Sequence, residues 1–310
     1  MTTDFQRSPW PHRFALLTAI ATFPLLFMGG LVTSMGAGLA VPDWPTTFGY
    51  NMFAYPWSKM VGGIFYEHSH RLFGSAVGFL TILLTISLWR CESRPWLRRL
   101  GAAALGAVIV QGILGGLRVV WTQTTLAIMH ACVAQAFFAL AASLALFTSP
   151  EWDRQPEKKI SADAGRIQRL GLTTTGLLYL QLILGAMVRH RGEFIAWHII
   201  GAAVVAIHVI LLANRIVRRH GDLPTLARSA VLLRGLLLLQ LSLGFAAYFA
   251  KFTVEGVLLS PYFVLLATSH VVIGALMLVT SVRLTLRAFR FLGAHHQALA
   301  SRFASGQASL

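Results

Sequence analysis

Charge is scarce in this chain. Only 12% of its 310 residues are Asp, Glu, Lys or Arg, where a soluble domain carries about a quarter. Acidic residues are the scarcer kind, 11 against 26 basic. So few charges cannot cover a water-facing surface, which excludes an ordinary soluble domain. Cysteine is nearly missing as well: Cys91 ends one apolar run and Cys132 lies inside another. Neither has a partner in a loop, so no disulfide framework is implied. The first apolar run lacks a small-residue cleavage site and is too long for a signal-peptide core, so it is expected to stay as an anchor; nothing before it resembles a transit peptide. What fills the chain instead is apolar: 56% hydrophobic residues and a mean hydropathy of +0.66.

A bilayer core of about 30 Å is crossed by about 20 apolar residues in a helix. Eight stretches meet that length: helix 1 (Phe14–Met35), helix 2 (Phe65–Trp89), helix 3 (Leu97–Leu117), helix 4 (Thr125–Phe147), helix 5 (Leu170–Val188), helix 6 (Ile195–Val217), helix 7 (Ala230–Ala250) and helix 8 (Tyr262–Leu286). Backbone polar groups in lipid must be satisfied within the segment, so these runs are helices rather than strands, and the fold class expected is an all-α integral membrane protein. Lys and Arg set the orientation. The side holding both termini carries 19 of the 26, from Arg7 and Arg13 to Arg290 and Arg302, including Arg154, while the other carries five: Lys59, Arg118, Arg189, Arg191 and Lys251. Arg71 and Arg234 fall within spans. Both termini are therefore expected in the cytoplasm. The basic excess follows from topology, so no nucleic-acid partner is expected.

The longest cytoplasmic connection, Thr148 to Arg169, is the natural boundary between two four-helix halves, 1–150 and 151–310. A repeat supports that cut. Gln111-Gly-Ile-Leu-Gly115 closes helix 3, Gln181-Leu-Ile-Leu-Gly185 closes helix 5 and Gln240-Leu-Ser-Leu-Gly244 closes helix 7; the first two continue to Arg118 and Arg189. Small residues there let helices approach closely. Gln and Gly can recur by chance once in Leu-rich spans, but three copies at outer helix ends predict two pseudo-symmetric bundles.

His70, His130, His198 and His270 each lie in the outer part of an even-numbered helix. Helix 2 pairs with helix 4 and helix 6 with helix 8, so that His70 aligns with His198 and His130 with His270. Ionisable groups inside a membrane are costly and usually functional. A lone histidine in a span is more often a hydrogen-bonded packing residue; four at matched positions point to a shared role. Zinc normally wants a third or fourth protein ligand, which the second half does not offer. Heme iron needs one or two axial ligands and an apolar slot between helices, so two heme sites are the better reading.

The halves differ. Helix 2 opens with Glu67-His68-Ser69-His70-Arg71, where helix 6 has Ile195-Ala196-Trp197-His198-Ile199. Glu67 and His70 share a helical face, while His68 points elsewhere. A carboxylate beside a ligating histidine is a candidate acid or base, against the alternative of a structural ion pair with Arg71. Arg71 can serve a heme propionate, Glu67 or a lipid phosphate. The first outer loop, from Gly36 to Lys59, is rich in Gly, Pro and aromatics and suits a lid containing Asp43 and Trp44, with Trp44 and Trp57 at headgroup level. The connection after helix 5 is only Arg189 to Glu193. His190 is without a role, His208 reads as packing, and His12, His220, His295 and His296 read as solvated cytoplasmic residues.

The run Gly-Gly-Leu-Val-Thr-Ser-Met-Gly-Ala-Gly-Leu-Ala-Val-Pro-Asp-Trp-Pro (29 to 45), Glu-His-Ser-His-Arg (67 to 71), Gln-Gly-Ile-Leu-Gly-Gly-Leu-Arg (111 to 118) and the histidines of helices 4, 6 and 8 resemble the heme A synthase family over nearly the whole chain. The resemblance implies a bacterial inner-membrane oxidoreductase that converts a ring methyl of heme O to a formyl group, giving heme A for terminal oxidase assembly. It implies that His70 and His130 flank the substrate iron, with Arg71 beside them. His198 and His270 would ligate a permanent heme b, and Glu67 would be the essential carboxylate. Partners expected are the lipid bilayer, an electron donor, the membrane enzyme that makes heme O, from which a poorly soluble substrate would be handed over, and a further copy of the chain. Some members carry a cysteine pair in an outer loop; its absence here excludes a thiol-redox step in that loop. The alternative is a di-heme b-type cytochrome carrying electrons from quinol, which would often stack two hemes on histidines of one helix. A duplicated transporter would show broken helices and midplane charges, and neither is present.

Overall fold

The computed structural model describes residues 8–153, 158–254, 256, 258 and 260–293. Arg7, Arg154, Arg302, His295 and His296 lie outside the described residues. Eight helices among them are long and apolar enough to cross a membrane. Helix 1 spans Trp10–Ser34, helix 2 Gly63–Cys91, helix 3 Pro95–Trp121 and helix 4 Thr124–Phe147. Helix 5 spans Ala164–Arg191, helix 6 Ile195–His220, helix 7 Pro224–Thr253 and helix 8 Pro261–Phe291. Most run a few residues past the apolar stretch, because hydropathy marks the lipid-embedded part while helical hydrogen bonding continues beyond it. Helix 5 runs through Arg189 and His190, so its connection to helix 6 shrinks to Gly192–Phe194, with Gly192 at φ +74°. Glycine takes that left-handed C-cap without a Cβ penalty. Helices 3, 7 and 8 begin on proline, where its missing N–H costs nothing.

Helices 1 to 4 close a ring in which each packs on the next and helix 4 returns to helix 1; helices 5 to 8 close a second ring in the same way. The rings meet where helix 8 lies against helices 1 and 4, and helix 4 against helix 5. Small side chains allow that approach: Ala142 and Ala275 are buried there with Phe138 and Val279. Gly30 of helix 1 faces the buried Thr268 of helix 8 so closely that a Cβ would come within 2.8 Å of its Cγ2. Buried threonines are satisfied by their own helix; Thr18, Thr22, Thr81 and Thr85 donate to carbonyls four residues back at 2.7–2.8 Å.

Polar links tie the rings at the end away from the first loop. Arg287 forks onto Glu151 at 2.8 and 2.7 Å and reaches Ser229 at 2.7 Å; Arg290 donates to the Trp152 carbonyl at 2.8 Å. The one departure from an all-helical chain among the described residues is a parallel pairing of Lys159–Ile160 with Leu292–Gly293, besides a single antiparallel bridge between Thr47 and Tyr50. Both cysteines are free.

The Gly30 contact predicts an outcome. Gly30→Ala should lower the thermal unfolding midpoint of the purified protein, since overpacking costs about 1–3 kcal/mol and a β-branched threonine cannot swing aside. Gly74→Ala on helix 2, where a Cβ meets nothing within 4 Å, should hold or raise the midpoint through helix propensity. Equal midpoints for the two variants would show that the helix 1–helix 8 approach tolerates a methyl group.

Candidate heme sites

The four histidines meet in two pairs. His70 and His130 have ring centres 6.3 Å apart with planes at 85°, and His198 and His270 are also 6.3 Å apart, at 77°. Each imidazole is seated against a glycine of a neighbouring odd-numbered helix. A Cβ would come within 2.9 Å of His70 Cε1 at Gly29, 3.2 Å of His130 Cε1 at Gly115, 3.1 Å of His198 Cε1 at Gly185 and 2.8 Å of His270 Cε1 at Gly244. Any side chain there would crowd the ring. The Gln-x-x-x-Gly repeat therefore does more than let helices approach: its glycine makes the seat for the histidine.

The glutamine of the repeat holds the same histidine from one turn away. Gln111 donates to the His130 carbonyl at 3.1 Å, Gln181 donates to the His198 carbonyl at 2.7 Å and lies 3.0 Å from its Nδ1, and Gln240 lies 3.3 Å from His270 Nε2. Gly29 is a fourth seat that the sequence pattern misses, because Leu25 stands where the other three copies have glutamine. The signal that could have found it is a glycine at the same end of the remaining odd helix.

The pairs fit a metal held from two sides. With a metal–nitrogen bond of about 2 Å, two imidazoles on opposite faces of one ion place their ring centres roughly 6 Å apart. Nδ1 of His70, His130 and His270 is buried without a hydrogen-bond partner. Among the described residues no group of three or more His, Cys, Asp or Glu could hold a metal ion. A flat porphyrin supplies its own equatorial nitrogens and asks the protein for two axial ligands only, so the two pairs fit heme.

The first pair lies beneath a built loop. Glu67, 4% exposed, accepts the Val41 N–H on Oε2 and Arg71 on Oε1, each at 2.9 Å. Arg71 spends both terminal nitrogens: Nη1 on the carbonyls of Asp43 (2.8 Å) and Thr46 (3.0 Å), Nη2 on the Val41 carbonyl (3.0 Å) and Glu67. Of the partners open to Arg71 from the sequence, the structure shows the carboxylate, joined by three loop carbonyls. His68, buried under the same loop, meets Thr47 Oγ1 at 3.1 Å and Tyr55.

Asp43 closes the loop on itself, accepting from Thr46 Oγ1 (2.5 Å), the Phe48 N–H (2.7 Å) and the Gly49 N–H (2.8 Å). Partial burial would raise its pKa, but these hydrogen bonds outweigh it, led by that from Gly49, and hold the carboxyl at about 2. The loop therefore keeps its carboxylate turn at any ordinary pH. Trp44 lies on helix 3, where a Cβ at Gly116 would overlap its indole. Gly115 and Gly116 thus seat His130 and Trp44 in succession.

Other residues are placed as follows. Arg189 donates to the Gly30 carbonyl (2.7 Å), Ser34 Oγ (2.6 Å) and the Ala267 carbonyl (3.4 Å), bridging helices 5, 1 and 8. His190 lies in the last turn of helix 5, and His208 bonds the Val204 carbonyl at 2.9 Å, a packing role. Two expectations are corrected. His12 is not simply solvated: its Nδ1 meets the Ala145 carbonyl at 3.1 Å, at the end of helix 4. His220 is 2% exposed with neither ring nitrogen bonded, because helix 6 continues past its apolar run and carries the ring inward.

The chain is similar in sequence to several heme A synthases. Heme A synthase of Shouchella clausii is 30% identical over 190 residues, covering 59% of this chain and 60% of that protein. Heme A synthase of Geobacillus kaustophilus is 24% identical over 280 residues, covering 81% and 86%. Heme A synthase of Halalkalibacterium halodurans is 35% identical over 136 residues, covering 43% and 42%. A family model described as cytochrome oxidase assembly protein, COX15-CtaA, matches residues 12–197, from helix 1 through the start of helix 6. The chain belongs to the COX15-CtaA family of cytochrome oxidase assembly proteins.

Proposed function

We propose that this chain is a heme A synthase: it takes heme O between His70 and His130 and converts a ring methyl to formyl, while His198 and His270 hold a heme b. The observation that carries the reading is the contrast between two histidine pairs of equal spacing, of which, among the described residues, only the first has a buried carboxylate–arginine pair, Glu67 with Arg71, and a loop built over it. In this reading residues 1–150 form the substrate half and residues 151–310 the heme b half, related by duplication. Positive charge places both termini in the cytoplasm and the histidines near the outer face of a bacterial inner membrane.

Heme b, when bound, supplies one-electron chemistry. The chain's own residues do the rest. His70 and His130, held by Gly29 and Gly115, fix the substrate ring in position. Glu67, one turn before His70 and pinned by Val41 and Arg71, positions or deprotonates water, or stabilises positive charge developing at the methyl carbon. Two hydroxylations of that methyl, each a two-electron oxidation that draws on an oxidant from outside the chain, and loss of water from the resulting diol leave the formyl group. The loop from Val41 to Gly49 keeps bulk water from the site. Heme O passes from the membrane enzyme that makes it, an electron donor completes the cycle, and copies of the chain associate in the bilayer.

The competing reading is a di-heme cytochrome passing electrons from quinol. Its usual stacking across the membrane is opposed by the four ligands, which sit on four separate helices at one end of the bundle.

Heme extraction and chromatography of the purified protein, expressed with and without heme O supply, tests the choice. Heme b together with heme O and some heme A or hydroxylated intermediate is expected; two equivalents of heme b, indifferent to heme O, would establish the cytochrome instead. Glu67→Gln, which keeps an acceptor for Arg71 but cannot ionise, should leave heme content intact and slow heme A formation at least a hundredfold, the scale of a lost acid–base group. Wild-type conversion in that variant would remove Glu67 from the chemistry. His198→Ala should lose heme b and retain heme O, and His70→Ala the reverse; loss of the same heme in both variants would disprove two separate sites.

A further inference from the structure

A heme buried between helices brings two propionate carboxylates with it, and carboxylates in such a setting are held by cations, best by the forked guanidinium of arginine. Four arginines lie at the histidine end of the described residues. Arg71 has all four N–H bonds of its terminal nitrogens committed to Glu67 and the loop carbonyls. Arg189 is spent bridging helices 1 and 8, and Arg191 meets Thr125 and Glu193 near the surface. Arg118 is left, and it makes no hydrogen bond or ion pair among the described residues.

Its position suits the task. Arg118 lies three residues beyond Gly115, about one turn nearer the loop end on the same face of helix 3, so the helix that seats His130 also presents this guanidinium. The side chain is half-buried rather than splayed into solvent. It tucks beneath the first loop, where a Cβ at Gly38 would overlap its Nη2. It is close enough to Glu67, His70 and His130 for its charge to act on all three. Glu67 makes no hydrogen bond to it; the two carboxylate oxygens accept from Val41 and Arg71 instead. A half-buried cation with no hydrogen-bond partner among the described residues, roofed by a glycine, is a preformed anion receptor.

We propose that Arg118 anchors a propionate carboxylate of the heme held between His70 and His130, and so sets the rotation of the ring about the axis through those two histidines. The ring methyl to be oxidised is then turned to one fixed side of the site. This inference rests on the reading of that pair as the substrate site. Among the described residues the second pair has no counterpart, because Arg189 on helix 5 is already bonded to helices 1 and 8. Arg118 is thus a substrate-positioning residue of the first site.

The test compares heme O with its dimethyl ester, which keeps the ring, methyl and iron but removes both carboxylate charges. Full-length protein in detergent micelles is titrated with each by absorbance, and heme A formation is followed in parallel. Wild type should bind heme O about tenfold to a hundredfold tighter than the ester, the range for a charge-assisted hydrogen bond. Arg118→Gln should lose that preference by weakening heme O and leaving the ester unchanged. Arg118→Lys should restore part of it, and Gly38→Leu, which displaces the guanidinium without removing charge, should reduce it. Equal affinity of wild type for acid and ester would overturn the anchor, and this comparison needs no variant to fold. Equal weakening of both ligands by Arg118→Gln would overturn it too, as a structural effect. Failure of the synthase reading appears separately, as acid-selective binding without any heme A.

Discussion

The close contact between an imidazole and a glycine is the constraint on which the rest of the structure depends. A histidine on one spanning helix can face a histidine on another at 6.3 Å only if the helix behind it yields room. At Gly29, Gly115, Gly185 and Gly244 the yielding residue has no side chain. Replacing any of these hydrogens with a methyl group would bring carbon to 2.8–3.2 Å of an imidazole, below ordinary van der Waals separation, and densely packed interiors pass such strain on rather than absorb it. Helix spacing, ring orientation and the gap between paired rings are therefore set together.

The two pairs then diverge through charge. In the first, one carboxylate and one guanidinium hold a whole loop: Glu67 takes the Val41 N–H, and Arg71 takes three carbonyls from Val41 to Thr46. Burying such a pair gains little by itself, because desolvation offsets attraction. The gain is geometric, since groups that would otherwise be unsatisfied are made to specify where the loop lies. Asp43 and Trp44 complete the cover by closing the turn and by packing on Gly116. The second pair is held by the neutral amides of Gln181 and Gln240.

Much of this was legible beforehand. The eight helices, the histidines on the even ones, the Gln-x-x-x-Gly repeats and the unequal charge beside His70 all stand in the chain as patterns. Several partners were not legible. Arg71 had three partners open to it, and contact with the loop backbone was not among them. Leu25 hid the fourth glycine seat. His12 and His220 read as solvated because the charge pattern puts both on the cytoplasmic side, while their neighbours in space are the end of helix 4 and the packed interior.

The division has a physical cause. The membrane class and the number of spans are properties of single segments, because lipid requires each helix to satisfy its own backbone and present about 20 apolar residues; the sequence alone determines those. Which polar group meets which depends on segments far apart in the chain. Val41 and Glu67 are 26 residues apart, and Ser34 and Arg189 are 155 apart. Only packing brings them together, and local sequence carries no record of the partner. Tertiary structure therefore decided that Arg71 holds the loop, that Arg189 joins the rings, and that Arg118 lies beneath the loop without a hydrogen-bond partner among the described residues.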